Sequence, residues 1–320
     1  MVKDKVDLFE ERLKLKVSRL FFEKRMNKVD IGKKLKVSRF KVARLLDDAI
    51  NEGLVEIVIH RKPDDFQELE DSIEDRFNIK RVVVCESSEY PDELKRNLGA
   101  SAAKLLMEIV EDGDCIGIAW GSTLNETLNF IPRKTNLRNI IVVQIAGGLN
   151  QVPPEINALD LTRRISEKFN AKSYLIYAPT ILDDRKSMEI LVNQPGIKET
   201  IRMFLKVNIA LVGIGAVLPK PSTYLYQGGF INEEDFKSII SSHAIGDINT
   251  SFYDSDGKTC STSFDNRVIA MSHEQFKKVN YCIGVAGEKG KWEAIRAALA
   301  GKIINILVTD EDTAKYLIKS

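Results

Sequence analysis

Five short stretches combine glycine with hydroxyl or charged residues in a way that could hold a small anion or a polyol. They are Gly121-Ser122-Thr123, Gly147-Gly148, Ala178-Pro179-Thr180, Gly213-Ile214-Gly215 and Gly287-Glu288-Lys289-Gly290-Lys291. Glycine lets the backbone approach a ligand closely. A glycine followed by two hydroxyls before a helix offers free N–H groups at the positive end of the helix dipole. Gly-Ser-Thr could also be only a helix cap. Asp247, in Ile245-Gly246-Asp247-Ile248, is a carboxylate among apolar neighbours. It could accept ligand hydroxyls or cap a loop. Lys291 could meet a phosphate or hydroxyl, or be a first-turn surface lysine. No nucleotide signature is present: Gly213-Ile214-Gly215 lacks the third glycine of a dinucleotide fingerprint, and there is no Walker A sequence. We therefore expect no cofactor. The simplest ligand for such stretches is a phosphorylated sugar. The four cysteines, Cys85, Cys115, Cys260 and Cys282, lie far apart and have no metal-ligand spacing. We expect no metal, and free buried thiols in a reducing cytoplasm.

Each glycine-bearing stretch follows an apolar β run. The strand candidates are 81–85, 115–120, 140–146, 173–177, 209–213, 281–285 and 303–308. Helical stretches fall between most of them, notably 91–111, 155–169, 197–206 and 291–300, and an acidic amphipathic helix over 64–78 precedes them. Buried strands alternating with helices predict an α/β, doubly wound, Rossmann-like parallel sheet. Ligands of such sheets sit at the carboxyl ends of the strands, so the five stretches are expected to converge on one site. Two histidines, His243 and His273, lie in this part of the chain, and neither falls in a strand-end cluster. An acid/base pair for phosphosugar chemistry is therefore not evident.

The first 60 residues read differently. Helical spacing places a first helix over about 6–24, a short second helix around Ile31 and Leu35, and a tight turn at Lys36-Val37-Ser38. Ser38 is a good N-cap for a third helix over 39–52, with Val42, Leu45, Leu46, Ala49 and Ile50 as its buried stripe and Gly53 ending it. The β-branched run 54–59 suits the strand of a wing. This reads as a winged helix-turn-helix, a geometry that also serves protein contacts; Arg39, Phe40, Lys41 and Arg44 face away from the stripe and, with Ser38 at the helix start, are expected where a recognition helix meets DNA. Charge agrees. Residues 1–62 hold 17 Lys and Arg against 10 Asp and Glu, leaving 30 against 36 in the remainder of a chain whose net charge is +1. A basic head on an acidic body fits a polyanion partner for the head alone. At 320 residues, with 44% hydrophobic and 29% charged residues, the chain is ordinary globular protein. No window is apolar enough to span a bilayer and the N-terminus carries no signal-peptide pattern, so a cytoplasmic protein without a membrane partner is expected.

Taken together, these motifs resemble the SorC family of bacterial sugar-responsive transcriptional regulators over almost the whole chain. The stretch Ile31 to Leu46 looks like the family's helix-turn-helix, and Trp120-Gly121-Ser122-Thr123 like its phosphate loop. Gln144 to Gly148, Gly213-Ile214-Gly215, Gly246-Asp247-Ile248, Val285-Ala286-Gly287 with Lys291, and Ala298 to Gly301 with Leu307 to Asp310 match its other signatures. The resemblance implies a DNA-binding domain over 1–60 and an effector-binding and oligomerisation domain over 61–320, the latter similar to sugar-phosphate isomerases and deaminases. It implies a homotetramer, or dimer of dimers, on operator DNA, whose affinity responds to a phosphorylated sugar or polyol. The family's ligand residues carry over to Gly121, Ser122, Thr123, Gly147, Gly148, Asp247 and Lys291, and the strand ends add Ala178, Pro179, Gly213 and Gly215 to the expected site. Departures stand at Ala146, where some members carry a basic residue, at Gly32, where alanine is common and glycine should weaken the helix, and at Glu288, where a second glycine is common. The alternative is an enzyme resembling a phosphosugar isomerase or deaminase.

Overall fold

A computed structural model describes residues 2–55, 66–132, 136–149, 152–217, 225, 229–263 and 265–320. The chain divides into two units, Met1–Pro63 and Asp64–Ser320.

In the first unit, a helix Val2–Ser18 runs into a π-helical turn Arg19–Glu23, where one continuous α-helix was expected. Asn27 caps the second helix, Lys28–Leu35, by accepting from Val29 N and Asp30 N at 3.0 and 2.9 Å. Lys36 then turns left-handed (φ 55°), and Val37 N donates to Gly32 O at 2.9 Å. A Cβ on Gly32 would sit 2.7 Å from Val37 O, so glycine here makes room for the turn as well as costing helix propensity. Ser38 caps the third helix, Arg39–Asn51, as expected, its Oγ accepting from Lys41 N at 3.1 Å. Gly53, at φ 73°, ends that helix just past its C-cap. Val42, Leu45 and Leu46 form the core of this unit with Val17 and Ile31. Ile50 is a correction: it is 39% exposed, because Val42, Leu45, Leu46 and Ala49 already fill the helix's inward face. Leu54 and Val55 form a bend, and the rest of the expected wing strand, with the joint that follows it, lies outside the described residues.

The described residues of the second unit hold ten strands. They are β1 (Arg81–Cys85), β2 (Cys115–Ile118), β3 (Ile141–Gln144), β4 (Lys172–Tyr174), β5 (Ile209–Gly213), β6 (Gly215–Ala216), β7 (Gly246–Ile248), β8 (Ser251–Tyr253), β9 (Tyr281–Val285) and β10 (Ile306–Asp310). Seven form one sheet in the order β1-β10-β9-β5-β2-β3-β4, with every pairing parallel. β2, β3 and β5 are buried along almost their whole length, which is why they read as unbroken apolar runs. The last strand begins and ends later than the expected 303–308, since Ile303 and Ile304 pack in the turn before it. The chain moves outward from β2 through β3 to β4, then returns to β5 on the other side of β2 and moves out through β9. The direction thus reverses between β2 and β5.

The edge strand β1 is closed by the acidic helix Gln67–Phe77. Glu74 accepts from Val82 N at 2.7 Å and Glu70 from Val84 N at 2.8 Å. Carboxylates thus take the N–H groups that an unprotected edge would offer to another chain. Burial and neighbouring acids raise the Glu70 carboxyl above its usual range, against the hydrogen bond from Val84.

β6, β7 and β8 form a separate antiparallel ribbon that the apolar pattern did not reveal. Its strands have two or three residues each, too short for alternation to register. Asn249 and Thr250 make its second turn at φ 55° and 67°. Phe252 of the ribbon belongs to a second core with Val217, Ile231 and Ile239, distinct from the main core around the sheet.

Candidate functional site

A partly open cavity lies where the strand order reverses. β2 contributes Ala119 to Leu124 from the turn and helix after it. β5 contributes Gly213, Ile214 and Gly215, β9 contributes Val285, and the ribbon strand β7 and its turn contribute Asp247 and Asn249. Lys291 stands at the N-terminus of the helix Trp292–Ala300 and also lines it. Three of the five expected stretches, with Asp247, therefore meet in one place.

The turn after β2 is built to stay open. Gly121, at φ 140°, is the N-cap of the helix Ser122–Phe130, and no side chain caps that helix. Gly121 N is anchored to Ile156 O at 3.0 Å. Ser122 and Thr123 thus stand in the first turn, line the cavity, and leave its N–H groups without a side-chain cap. Trp120 lines the cavity and packs against the second core.

Asp247 is 3% exposed and sits opposite Gly215 in the ribbon. Burial, helped by the Asp247 charge, holds the Tyr253 hydroxyl well above its ordinary value, so it remains a donor, to Ala294 O at 3.0 Å. Asn249 was not anticipated. Its Nδ2 donates to Ile145 O and Met271 O at 3.0 and 3.1 Å, which fixes the amide orientation. Its buried Oδ1 has no hydrogen-bond partner among the described residues. The only signal in the sequence was Asn249 itself, since Asn is a residue that tolerates the left-handed turn found here (φ 55°), and an Asn before a non-glycine residue is easily passed over.

Gly147, Gly148, Ala178 and Pro179 do not line this cavity; they pair with one another. Gly148 N donates to Ala178 O at 2.9 Å and Thr180 N to Gly148 O at 2.8 Å. A Cβ on Gly147 would lie 2.5 Å from Thr180 N and 2.6 Å from the Pro179 carbonyl. Gly148, Ala178 and Pro179 instead border a separate open depression with Asn157, Arg163 and Tyr177. Ala146, also singled out in the sequence, is fully buried in the same stitched segment.

No histidine or cysteine is among the described residues lining the cavity. His273 is buried, its Nδ1 paired with Thr259 Oγ1 at 2.9 Å, and burial pushes it down to about 4. Burial likewise pushes the Cys85 thiol up to about 12 and the Cys115 thiol up to about 11, which leaves them protonated and poor nucleophiles. Among the described residues no group of His, Cys, Asp and Glu is arranged to hold a metal ion.

In the first unit, Ser38, Arg39, Phe40, Lys41 and Arg44 are all exposed on one end of the third helix. Phe40 is 72% exposed and the Arg39 guanidinium lies 4.9 Å from its ring centroid. Arg44 is engaged by Asp48 at 3.6 Å and Glu10 at 3.9 Å. Lys33, Lys34 and Lys36 are exposed nearby on the preceding helix and turn.

Comparison with known proteins decides the family. A family model described as "Putative sugar-binding domain" matches residues 62–319. The chain belongs to the SorC/DeoR-like family of sugar-responsive transcriptional regulators. Within it, the chain is 27% identical to the deoxyribonucleoside regulator of Bacillus subtilis over 98% of this chain and 99% of that one. It is 27% identical to the sorbitol operon regulator of Klebsiella pneumoniae, over 96% and 98%. It is also 27% identical to the erythritol catabolism regulatory protein EryD of Brucella abortus, over 97% of each chain. The crystal structure of full-length SorC from Klebsiella pneumoniae superposes with a TM-score of 0.76 at 28% identity, covering 96% of this chain and 98% of that one. The SorC/DeoR-like family is one of transcriptional regulators and not of enzymes, and the α/β architecture expected from the sequence is the one found. Among the described residues no helix is long and apolar enough to cross a membrane.

Proposed function

We propose that this chain is a cytoplasmic, operator-binding regulator of a sugar or polyol utilisation operon, controlled by a small phosphorylated sugar or polyol. The observation that carries the reading is the uncapped Gly121-Ser122-Thr123 turn opening into the cavity with Asp247 and Lys291. First-turn N–H groups and two hydroxyls suit a phosphate, and a buried carboxylate suits the hydroxyls of a carbohydrate body. Gly213 and Gly215 let that body lie close to the backbone. Gly147, Gly148, Ala178 and Pro179 serve this site indirectly, by holding the neighbouring strand ends together. The names of the sorbitol and erythritol relatives support a polyol-related effector.

The first unit binds the operator. Arg39 and Lys41 read base edges, Phe40 offers an apolar contact, Ser38 starts the helix and Arg44 meets the backbone. A small unit of this kind binds weakly alone, so the second unit holds several copies at half-site spacing in a homo-oligomer, as a dimer of dimers. An effector that prefers one arrangement of the second units changes that spacing and thereby the DNA affinity.

Thermal melts of the purified chain test the effector class. Phosphorylated sugars and polyols are compared with their free counterparts. A selective rise with one phosphorylated compound is expected, since a ligand that binds only the native state stabilises it by mass action. Stabilisation by the free sugar alone would overturn the phosphate assignment.

A further inference from the structure

Among the described residues lining the cavity, Lys291 is the one cation, and its ammonium is already taken. Glu288 Oε1 lies 3.2 Å from Lys291 Nζ, with the lysine side chain 20% exposed and the glutamate 41%. Glu288 does not line the cavity. It belongs to the adjoining depression, with Lys289 and Trp292, and reaches Lys291 from the rim.

The backbone of Glu288 is held in an unusual state to do this. Its φ and ψ are 79° and 145°, a region that a side chain rarely adopts. The cause is Asp310, which is 2% exposed. Its Oδ2 accepts from Glu288 N at 3.0 Å and from Thr313 Oγ1 at 2.7 Å, while its Oδ1 accepts from Ser87 Oγ at 3.1 Å. Gly287 leaves no room for a Cβ against that carboxylate. The main chain at 287–288 is therefore pinned, and only the glutamate side chain is at liberty to move.

We propose that Glu288 sets the charge selectivity of the cavity: its carboxylate holds the Lys291 ammonium, and an anionic effector binds by exchanging for it. The inference rests on the cavity being the effector site. With Asp247 in the wall and Glu288 on the lysine, the described residues of the cavity present no uncompensated positive side chain. Weakly acidic or neutral compounds meet a site that gives them no charge reward. A phosphate monoester, with up to two negative charges, competes with the single carboxylate for Lys291. Glu288 thus raises the threshold for anions and favours the more highly charged.

Calorimetric titration of the full chain with ribose 5-phosphate, inorganic phosphate and ribose tests this. Glu288→Gln should tighten ribose 5-phosphate binding about fivefold, the size of one partly exposed ion pair, and leave ribose unchanged. The gain should shrink in high salt. Glu288→Gly should give the same gain together with a higher melting temperature, because glycine suits φ 79° without strain. In a Lys291→Met background, Glu288→Gln should change nothing. Equal ribose 5-phosphate affinity in wild type and both Glu288 variants would overturn the inference and leave the proposed site standing. A gain shared equally by ribose would also overturn it. Absence of ribose 5-phosphate and phosphate binding in wild type and both variants would overturn the site and the inference together.

Discussion

Two neighbouring strands leave the sheet through glycine and do opposite things with it. After β2, Gly121 takes φ 140°, no atom lies within 4 Å of where its Cβ would be, and the helix that follows is left without a side-chain cap. After β3, Gly147 has the backbone of Pro179 and Thr180 against it, and Gly148 is bridged to Pro179. The first glycine leaves a surface open, the one proposed above to receive a ligand. The second closes one by letting two strand extensions touch. A glycine at the carboxyl end of a buried strand is thus a statement about backbone approach, and the approaching group can be a ligand or the protein itself.

The largest expected effect separates these two roles. Gly147→Ala should lower unfolding free energy by about 3 kcal/mol, because the neighbours that must yield are main-chain atoms. Gly148→Ala should be close to neutral, since its nearest neighbour is 3.8 Å away. Denaturant titration of the two variants measures the contrast, and equal losses would break it.

Next in size is an acid effect at a buried histidine that does not line the cavity. His273 is buried and held down to about 4, while the same side chain titrates near 6.5 when unfolded. Below pH 6.5 the unfolded chain takes up a proton that the native chain refuses. Stability contributed by this group is therefore complete above pH 6.5 and lost as pH falls toward 4. Between pH 6.5 and 5 the loss should be about 2 kcal/mol. His273→Gln should remove that part of the slope in denaturation curves taken across this range.

A smaller effect is expected at the open turn itself. Ser122→Ala combined with Thr123→Ala should leave the melting temperature of the free chain nearly unchanged, because neither hydroxyl caps the helix. It should weaken the phosphorylated effector about tenfold, the size of one or two charge-assisted hydrogen bonds. A large loss of stability in the free protein would mean the turn is structural, like the one at Gly147. In the first unit, Phe40→Ala should lower operator affinity about fivefold without changing fold stability, since the ring is 72% exposed.

Much of this was legible in the residues. The parallel sheet was readable because the central strands are apolar throughout, and the third helix because Ser38 caps it and Val42, Leu45, Leu46 and Ala49 recur at helical spacing. The open turn was readable from Gly121-Ser122-Thr123 following β2. The ribbon β6-β7-β8 was not, since strands of two or three residues carry no period. Asn249 was missed with it. The convergence of all five glycine stretches was overestimated for a related reason: local sequence does not say which neighbour a glycine admits, and β3 and β4 extensions pair beyond their regular strands.

The central claim is that occupancy of the cavity controls DNA binding by the other unit. Its most direct test is the operator affinity of the full chain with and without the compound that raises its melting temperature. The measurement is made on wild type, on Ser122→Ala with Thr123→Ala, and on Arg39→Ala. The account predicts a shift in wild type of about tenfold or more. It predicts no shift in the double variant at the same concentration, and weak operator binding but an intact melting response in Arg39→Ala. A double variant that binds and releases the operator as wild type does, at the same effector concentration, would contradict it.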